Sequence, residues 1–427
     1  MRSDAAQPAA DLLVYLAGGP GAAATDDFAS VAPAFAELRA HRHVLLIDQR
    51  GTGRSNVLSC KTADGKGDAF VGQSAADEAE RIDNAKLQLQ LRDCLARLAP
   101  RADARFYTTG DAVIDLEAVR QALGAPPLDL VGVSYGTRLA QQYAASFPAA
   151  VRSIVLDSAV PNTLVLGSEH AVNMEAALKT RFAVCRSNPE CARRFGDPYA
   201  SLQQLRHQLA ARPVMVSGRD PLDGSTLTQR FGAGDLAVGV RLFAYSPLTA
   251  ALLPLAISEA LRGNFQPLLG QEQLITKGVA EQLADGMGLS VSCAEDADLL
   301  QPRPQDADTL LGTSLVDYTL GSCEVWPHGR RRAGFHAPLV TATPTLVLAG
   351  EIDPVTPARY GQEILATLSN ARLLLFRGQG HGVMTTGCAP RLLREFIEKL
   401  QPKLLDAKCL EVLGDSPAYL DFSGAAP

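Results

Sequence analysis

Residues Gly132 to Gly136, Gly-Val-Ser-Tyr-Gly, fit the pattern G-x-S-x-G, in which a serine lies between two glycines. A serine hydroxyl becomes a nucleophile only when a base takes its proton and an acid orients that base. Small residues two positions before and two after Ser134 allow a sharp turn that exposes the hydroxyl. Because the pattern also occurs by chance, the surrounding elements decide whether Ser134 is a nucleophile or a structural turn residue.

The elements around Ser134 are those that a nucleophile turn requires. Residues 128–133, LDLVGV, form a continuous apolar run that predicts a strand buried on both faces. Residues 137–147, TRLAQQYAASF, predict a helix that ends before Pro148. The N-terminus of such a helix directs free N–H groups and the positive end of its dipole at the site. This context favours Ser134 as a nucleophile.

An acid and a base follow Ser134 in the chain order of the α/β-hydrolase triad: serine, acid, histidine. Asp353 comes three residues after the apolar run TPTLVLAG, and His381 comes three residues after the run ARLLLFRG. Both residues therefore follow predicted strands, at the edge where open α/β sheets hold their sites. Glu351 is an alternative acid, but Asp353 stands in the turn before Pro354 and is our prediction.

An acyl-transfer site also needs backbone donors for the oxyanion of the transition state. One donor should be the N–H of Tyr135, the residue after Ser134. The other should come from the loop GGPGAA that begins at Gly18, since glycines let the backbone approach a substrate closely. We predict Gly19 for this role, with Gly18 and Gly21 as alternatives. A plain Gly/Pro turn would also explain the segment.

The order of the elements predicts an α/β-hydrolase fold, with a mostly parallel sheet, helices on both faces and an inserted helical cap. Buried apolar runs alternate with helical patterns in the first half of the chain, as in βαβ units. We predict that residues 1–161 form the first part of the core, with the nucleophile turn. Residues 162–336 are predicted to form a mostly helical cap, and residues 337–427 the second part of the core, with the acid and the base.

The composition argues against several classes of partner and cofactor. The chain has 427 residues, a net charge of −6 and no extended basic run, which argues against a nucleic-acid partner. No run of 18 apolar residues is present, so we expect no membrane span. The segment IDQRGTGRS has Asn56 where a dinucleotide fingerprint needs a third glycine, and no Glu/His spacing indicates a metal. We expect no cofactor, no metal and a monomer.

The cysteines indicate disulfides and an oxidising compartment. The eight residues are Cys60, Cys94, Cys185, Cys191, Cys293, Cys323, Cys388 and Cys409. No C-x-x-C motif is present, and Cys185 and Cys191 flank a turn-like segment that would allow them to bridge. We predict four disulfides. The alternative is eight reduced, mostly buried thiols in a cytosolic enzyme.

Five segments together resemble the prolyl aminopeptidase group of α/β-hydrolases, and more closely its secreted bacterial branch, which includes the tripeptidyl aminopeptidases. They are YLAGGPGAAA, LLIDQRGTGRS, VGVSYGTRLA, GEIDPVTP and GQGHGV. The resemblance implies a serine peptidase that removes residues from a free peptide N-terminus. It implies Ser134 as the nucleophile, His381 as the base and Asp353 as the acid.

The same resemblance implies acidic cap residues that bind the α-ammonium group of the substrate. A carboxylate that faces an ammonium group in a semi-enclosed pocket selects for free N-termini. Glu295, in the segment CAED, is our candidate, and Asp296 is the next. The alternative is that both residues are ordinary cap carboxylates that face solvent and bind no substrate.

Two departures from the family bear on these expectations. Ala17 stands where prolyl aminopeptidases usually have the histidine of H-G-G-P-G. Family members also have strands before this loop, and the exported ones have a signal peptide. Residues 1–10 contain no apolar signal segment. We therefore expect strands to be missing from this chain and an exported full-length form, periplasmic or extracellular.

Two other functions fit the same residues. A carboxylesterase could use an identical Ser-Asp-His triad, because the fold does not fix the substrate. A non-catalytic binding protein could use the same scaffold, although the presence of Ser134, Asp353 and His381 argues against it. Hydrolysis of esters alone would favour the first, and no hydrolysis at all would favour the second.

Overall fold

A computed structural model describes residues 1–61, 84–220 and 223–425. The strands are β1 (Leu12–Leu16), β2 (His43–Leu46), β3 (Leu128–Val133), β4 (Val151–Asp157), β5 (Val214–Arg219), β6 (Thr226–Phe231), β7 (Thr345–Gly350), β8 (Ala371–Phe376), β9 (Tyr419–Asp421) and β10 (Gly424–Ala425). Six of them form the main sheet in the order β2-β1-β3-β4-β7-β8. Every neighbouring pair in this sheet is parallel, so the carboxyl ends of all six strands lie at one edge.

Fifteen α-helices are found in the described residues. They are α1 (Ala24–Arg39), α2 (Asn84–Leu98), α3 (Thr109–Ala122), α4 (Tyr135–Ser146), α5 (His170–Ser187), α6 (Pro189–Phe195), α7 (Pro198–Ala211), α8 (Ala233–Ala244), α9 (Pro247–Ala250), α10 (Leu253–Leu261), α11 (Gln266–Gln282), α12 (Asp285–Glu295), α13 (Ser314–Cys323), α14 (Ala358–Leu365) and α15 (Ala389–Lys399). None of these helices combines the length and the apolar character that a membrane crossing requires.

Both faces of the main sheet are covered by helices. Successive side chains of β1 point to opposite faces. Leu13 and Tyr15 pack in a core with α1 and α15, whereas Val14 and Leu16 pack in a second core with α3 and α4. Burial on both faces explains why the strands read as unbroken apolar runs rather than as alternating ones.

The segment between β4 and β7 has a hydrophobic core of its own. Helices α5, α7, α8 and α10 pack there with one side of an antiparallel hairpin formed by β5 and β6. These helices lie within residues 162–336, for which we predict a mostly helical cap, and the domain bounds stay a prediction. The hairpin was not predicted from the sequence.

All eight cysteines lie in disulfides, so the prediction of four disulfides is confirmed. The pairs are Cys60–Cys94, Cys185–Cys191, Cys293–Cys323 and Cys388–Cys409. The pairing of the two cysteines around the turn-like segment is as expected. One further pair joins two α-helices directly: Cys293–Cys323 links α12 to α13.

Candidate active site

Ser134 lies in a strained turn between β3 and α4. Its backbone has φ 53° and ψ −123°, a region that residues with a side chain rarely adopt. A Cβ atom on Gly132 would lie 2.5 Å from the Gly136 carbonyl oxygen, and one on Gly136 would lie 2.1 Å from the Leu16 carbonyl oxygen. Both distances are too short for any side chain. The two glycines of the motif are therefore required for this turn to close.

Asp353 and His381 form a hydrogen-bonded pair at the carboxyl edge of the sheet. The Nδ1 atom of His381 lies 2.8 Å from Oδ2 of Asp353. The other carboxylate oxygen accepts hydrogen bonds of 2.8 Å from the N–H groups of Val355 and Thr356. The Thr356 hydroxyl donates to Oδ2 at 2.8 Å and lies 3.2 Å from His381 Nδ1. These contacts fix both the carboxylate and the plane of the imidazole.

Glu351, the alternative acid, makes a different contact. Its carboxylate is exposed and accepts a hydrogen bond of 2.8 Å from the Gly378 N–H. The structure thus pairs His381 with Asp353 rather than with Glu351.

The charges of the pair stabilise each other. Burial alone would raise the pKa of Asp353, but the charge and hydrogen bond of His381 and two backbone N–H groups lower it to about 2. Burial alone would lower the pKa of His381, but the charge and hydrogen bond of Asp353 outweigh this and raise it. An acid that stays ionised beside an imidazole stabilises the imidazolium that forms when the ring takes a proton. The pair is therefore suited to general base chemistry.

Asp157, at the end of β4, connects the backbone of Ser134 to the segment after His381 and was not predicted from the sequence. Its main-chain oxygen accepts a hydrogen bond of 2.9 Å from the Ser134 N–H. Its fully buried carboxylate accepts hydrogen bonds from the N–H groups of Val383 at 2.9 Å and Met384 at 2.8 Å, just after His381. Burial raises its pKa to about 6, against the effect of these two donors.

Through Asp157, the structure links the backbone of Ser134 to the segment that follows His381. Within the described residues, the Ser134 hydroxyl makes no hydrogen bond. Hydrogen bonds at a catalytic site often tighten only when substrate is bound, so this does not argue against Ser134 as the nucleophile. A sequence signal for Asp157 does exist: it ends an apolar strand at the same edge as Ser134 and Asp353.

The glycine loop after β1 lies against Ser134. A Cβ atom on Gly18 would be 3.2 Å from Cβ and 3.8 Å from Oγ of Ser134. Gly19 has φ +109°, which favours glycine. Within the described part of the chain, neither the Gly19 N–H nor the Tyr135 N–H donates a hydrogen bond. The two predicted oxyanion donors thus have free N–H groups, one in the residue after Ser134 and one in the residue after Gly18, and their role stays a prediction.

Glu295 and Asp296, the candidates for ammonium binding, are both buried and have partners in the protein. The carboxylate of Glu295 accepts hydrogen bonds from the Thr109 N–H at 2.5 Å and the Thr109 hydroxyl at 2.8 Å. That hydroxyl also lies 2.7 Å from the Tyr135 hydroxyl. Asp296 forms an ion pair of 2.8 Å with the fully buried Arg138. Glu295 is thus linked to the residue after the nucleophile, but binding an ammonium group would require it to exchange its contacts with Thr109.

Comparison with known proteins identifies the family. Residues 11–235, more than half of the chain, match the family model described as alpha/beta hydrolase fold. The chain belongs to the α/β-hydrolase family. A second model, described as TAP-like protein, matches residues 309–409, which include Asp353 and His381. The predicted fold class and the predicted enzyme class, a serine hydrolase, are confirmed.

Relatives with curated names include peptidases and an esterase. Serine protease Hip1 of Mycobacterium tuberculosis is 25% identical over 404 residues, which cover 88% of this chain and 76% of the relative. Tripeptidyl aminopeptidase of Streptomyces lividans is 27% identical over 404 residues, covering 87% and 71%. Carboxylesterase B of M. tuberculosis is 28% identical over 400 residues, covering 87% and 74%. The resemblance to the tripeptidyl aminopeptidase branch is confirmed by these matches.

Proposed function

We propose that this chain is a serine exopeptidase that hydrolyses amide bonds near the free N-terminus of peptides. The observation that carries the proposal is the Asp353–His381 pair of 2.8 Å at the same sheet edge as the strained turn of Ser134. The names of two relatives, a serine protease and a tripeptidyl aminopeptidase, support a peptide substrate. The buried disulfides support an exported protein that works in an oxidising compartment.

The proposed reaction proceeds through an acyl-enzyme. His381 takes the proton of the Ser134 hydroxyl through Nε2 as the oxygen attacks the scissile carbonyl carbon. The N–H groups of Gly19 and Tyr135 donate to the resulting oxyanion. The imidazolium then gives its proton to the leaving amine, and the C–N bond breaks. Water, deprotonated by the same ring, releases the N-terminal fragment from Ser134, while Asp353 stays ionised throughout.

A carboxylesterase is the second candidate function. The name of one relative favours it, and the same triad would hydrolyse an ester through the same acyl-enzyme. Free and N-blocked substrates separate the two candidates. An ammonium group that is bound by a carboxylate contributes about 1.5–3 kcal/mol, so its loss should be measurable.

A substrate panel tests the proposed function. The panel contains alanyl, prolyl and tripeptidyl anilides, their N-acetylated forms and short-chain nitrophenyl esters. We expect at least one free anilide to be cleaved with a kcat/KM about 10-fold or more above that of its acetylated form, and Ser134→Ala to be inactive. Hydrolysis of the esters alone would establish the carboxylesterase. Equal rates for free and acetylated anilides would contradict the exopeptidase.

A further inference from the structure

Arg241 is a cation without an acidic partner near the proposed active site. It lies in the last turn of α8, is half-buried, and donates one hydrogen bond of 3.4 Å to the Tyr245 hydroxyl. Among the residues that the structure describes, no carboxylate lies within ion-pair distance of its guanidinium. A partly desolvated guanidinium without a counter-charge is suited to bind an anionic group of a ligand.

Tyr245 joins Arg241 to the base. Its ring packs edge-on against the His381 ring, with centroids 5.2 Å apart and planes at 70°. Its main-chain oxygen accepts a hydrogen bond of 2.8 Å from the His381 N–H. A Cβ atom on Gly380 would lie 2.2 Å from that same oxygen. The guanidinium is thus one tyrosine ring away from His381, and the contact that holds Tyr245 there is close and fixed.

The charges of Arg241 and His381 also act on His170, the first residue of α5. Burial and, after it, the charge of Arg241 lower the pKa of His170 to about 3, and the charge of His381 acts in the same direction. His170 is therefore neutral near pH 7 and half-buried, and one of its ring nitrogens carries a proton. The Arg241 guanidinium and the Tyr245 hydroxyl together offer hydrogen-bond donors beside His381.

The position beside His381 indicates which part of a substrate these donors meet. The base must return its proton to the leaving amine, so the groups next to His381 face the leaving part of the substrate. One extended residue spans about 3.5 Å. A leaving part of one or two residues therefore carries a carboxylate far enough to reach a guanidinium one ring beyond His381.

Resting on the proposed peptidase function, we propose that Arg241, with the Tyr245 hydroxyl, binds a carboxylate on the leaving part of the substrate. The favoured substrates are then short peptides whose C-terminal carboxylate lies one or two residues beyond the scissile bond. An acidic side chain at the same position offers the same chemistry. In both cases the guanidinium accepts the anion without displacing a carboxylate of the protein.

Three forms of one short peptide test this inference. They share the cleaved bond and end in a free carboxylate, in a C-terminal amide, or in an amide with aspartate in the leaving part. Product formation is followed by liquid chromatography and mass spectrometry. For the wild type we expect the free acid to be cleaved with a kcat/KM about 10-fold or more above that of the plain amide. The kcat/KM of the aspartate form, compared with that of the free acid, shows whether a side-chain carboxylate binds as well as the C-terminal one.

Two variants of Arg241 and one control identify the residue responsible. Arg241→Gln should bring the acid-to-amide ratio close to one, mainly through a higher KM for the acid, and Arg241→Lys should restore part of it. Arg212→Gln, at an exposed arginine after α7, should keep the wild-type ratio. A wild-type ratio near one, or a ratio that Arg241→Gln leaves intact, would overturn the inference. A wild type that cleaves none of the three peptides would instead overturn the proposed function.

Discussion

Asp157 links the backbone of Ser134 to the segment after His381, although its carboxylate contacts neither the Ser134 nor the His381 side chain. Asp157→Asn leaves one acceptor oxygen and turns an amide group toward the N–H donors of Val383 and Met384. An unsatisfied buried donor costs about 1–3 kcal/mol, so we expect kcat/KM to fall about 10- to 100-fold, with most of the loss in kcat. Steady-state kinetics on the best substrate measures this.

The control for Asp157 is a second buried carboxylate that lies away from the site. Asp129, near the start of β3, is fully buried and forms an ion pair of 2.8 Å with Arg152. Asp129→Asn should lower the free energy of unfolding and leave kcat/KM near the wild-type value. If both variants lose stability and keep full activity, Asp157 has no positioning role.

The Asp353–His381 pair determines how the activity depends on pH. His381 acts as a base only when neutral, and its pKa is raised above the usual value near 6.5. The rate should therefore rise with pH through a midpoint above 6.5 and be lost below it. Asp353→Asn removes the charge that raises this pKa, so the midpoint should move down while kcat/KM falls about 10⁴-fold. A pH profile of kcat/KM with an unmoved midpoint would contradict this role of Asp353.

The residues that could be predicted from the sequence share one property. Ser134, Asp353 and His381 each lie within five residues of the end of a main-sheet strand, so the loops that follow the apolar runs are enough to find them. Asp157 follows a strand as well, but its role depends on backbone donors more than 200 positions away, at Val383 and Met384. Arg241 lies on α8, and only the folded structure reveals that it is one tyrosine ring away from His381.

At the level of elements, the turn between β3 and α4 requires glycine at Gly136. Because a Cβ there would lie 2.1 Å from the Leu16 carbonyl oxygen, Gly136→Ala must push β1 away from the turn. We expect a loss of about 1–3 kcal/mol in the free energy of unfolding together with a loss of activity. Chemical denaturation and kinetics on the same preparation measure both.

Gly110 provides a matched control on a helix. A Cβ on Gly110 would lie 3.5 Å from the Thr108 Oγ1 atom, an ordinary contact. Gly110→Ala, in the first turn of α3, should therefore increase stability by about 0.4–1 kcal/mol through the unfolded chain. If Gly136→Ala and Gly110→Ala changed the free energy of unfolding equally, the steric explanation of the G-x-S-x-G glycines would be wrong.

The disulfides should contribute according to the lengths of the loops that they close. Cys293 and Cys323 are 30 residues apart, and Cys185 and Cys191 are 6 apart. Chain entropy gives about 3.6 kcal/mol for the longer loop and about 2.2 kcal/mol for the shorter one. Replacing each pair by serines should lower the unfolding free energy in that order. The opposite order would show that local packing outweighs the loop length.

The sequence predicts the strands of the main sheet better than those of the hairpin, for a physical reason. Strands β3 and β7 are buried on both faces and therefore read as apolar runs. Strands β5 and β6 are mostly exposed and contain Ser, Thr, Arg and Gln. Their sequences resemble the polar links between helices, so the hairpin could not be distinguished from a loop.

At the scale of the whole molecule, Glu295 makes stability depend on pH. It lies on α12 and bonds to Thr109 at the start of α3. Burial, with a smaller contribution from the neighbouring Asp296, raises its pKa from about 4.5 to about 8. The unfolded chain releases this proton first, so the unfolding free energy should decrease as the pH rises from 4.5 to 8. The glutamine of the Glu295→Gln variant cannot ionise, so the unfolding free energy of this variant should decrease less over the same pH range.

Denaturation curves at pH 5 and pH 8 measure the unfolding free energy of the wild type and of the Glu295→Gln variant. Glu190→Gln, at an exposed glutamate on α6, serves as the control and should retain the wild-type difference between the two pH values. If the unfolding free energy of Glu295→Gln differed between pH 5 and pH 8 as much as that of the wild type, another group would cause the pH dependence. The same variant, assayed on free and acetylated peptides, tests the predicted ammonium contact independently of stability.

One measurement tests the catalytic account most directly. A diphenyl phosphonate analogue of the N-terminal residue reacts only with an activated serine, and peptide mapping by mass spectrometry locates the adduct. We expect modification of Ser134, no adduct in His381→Ala, and a reaction about 10-fold or more faster with a free amino group on the probe than with an acetylated one. Modification of a different serine, or equal rates for the free and acetylated probes, would contradict a Ser134 exopeptidase.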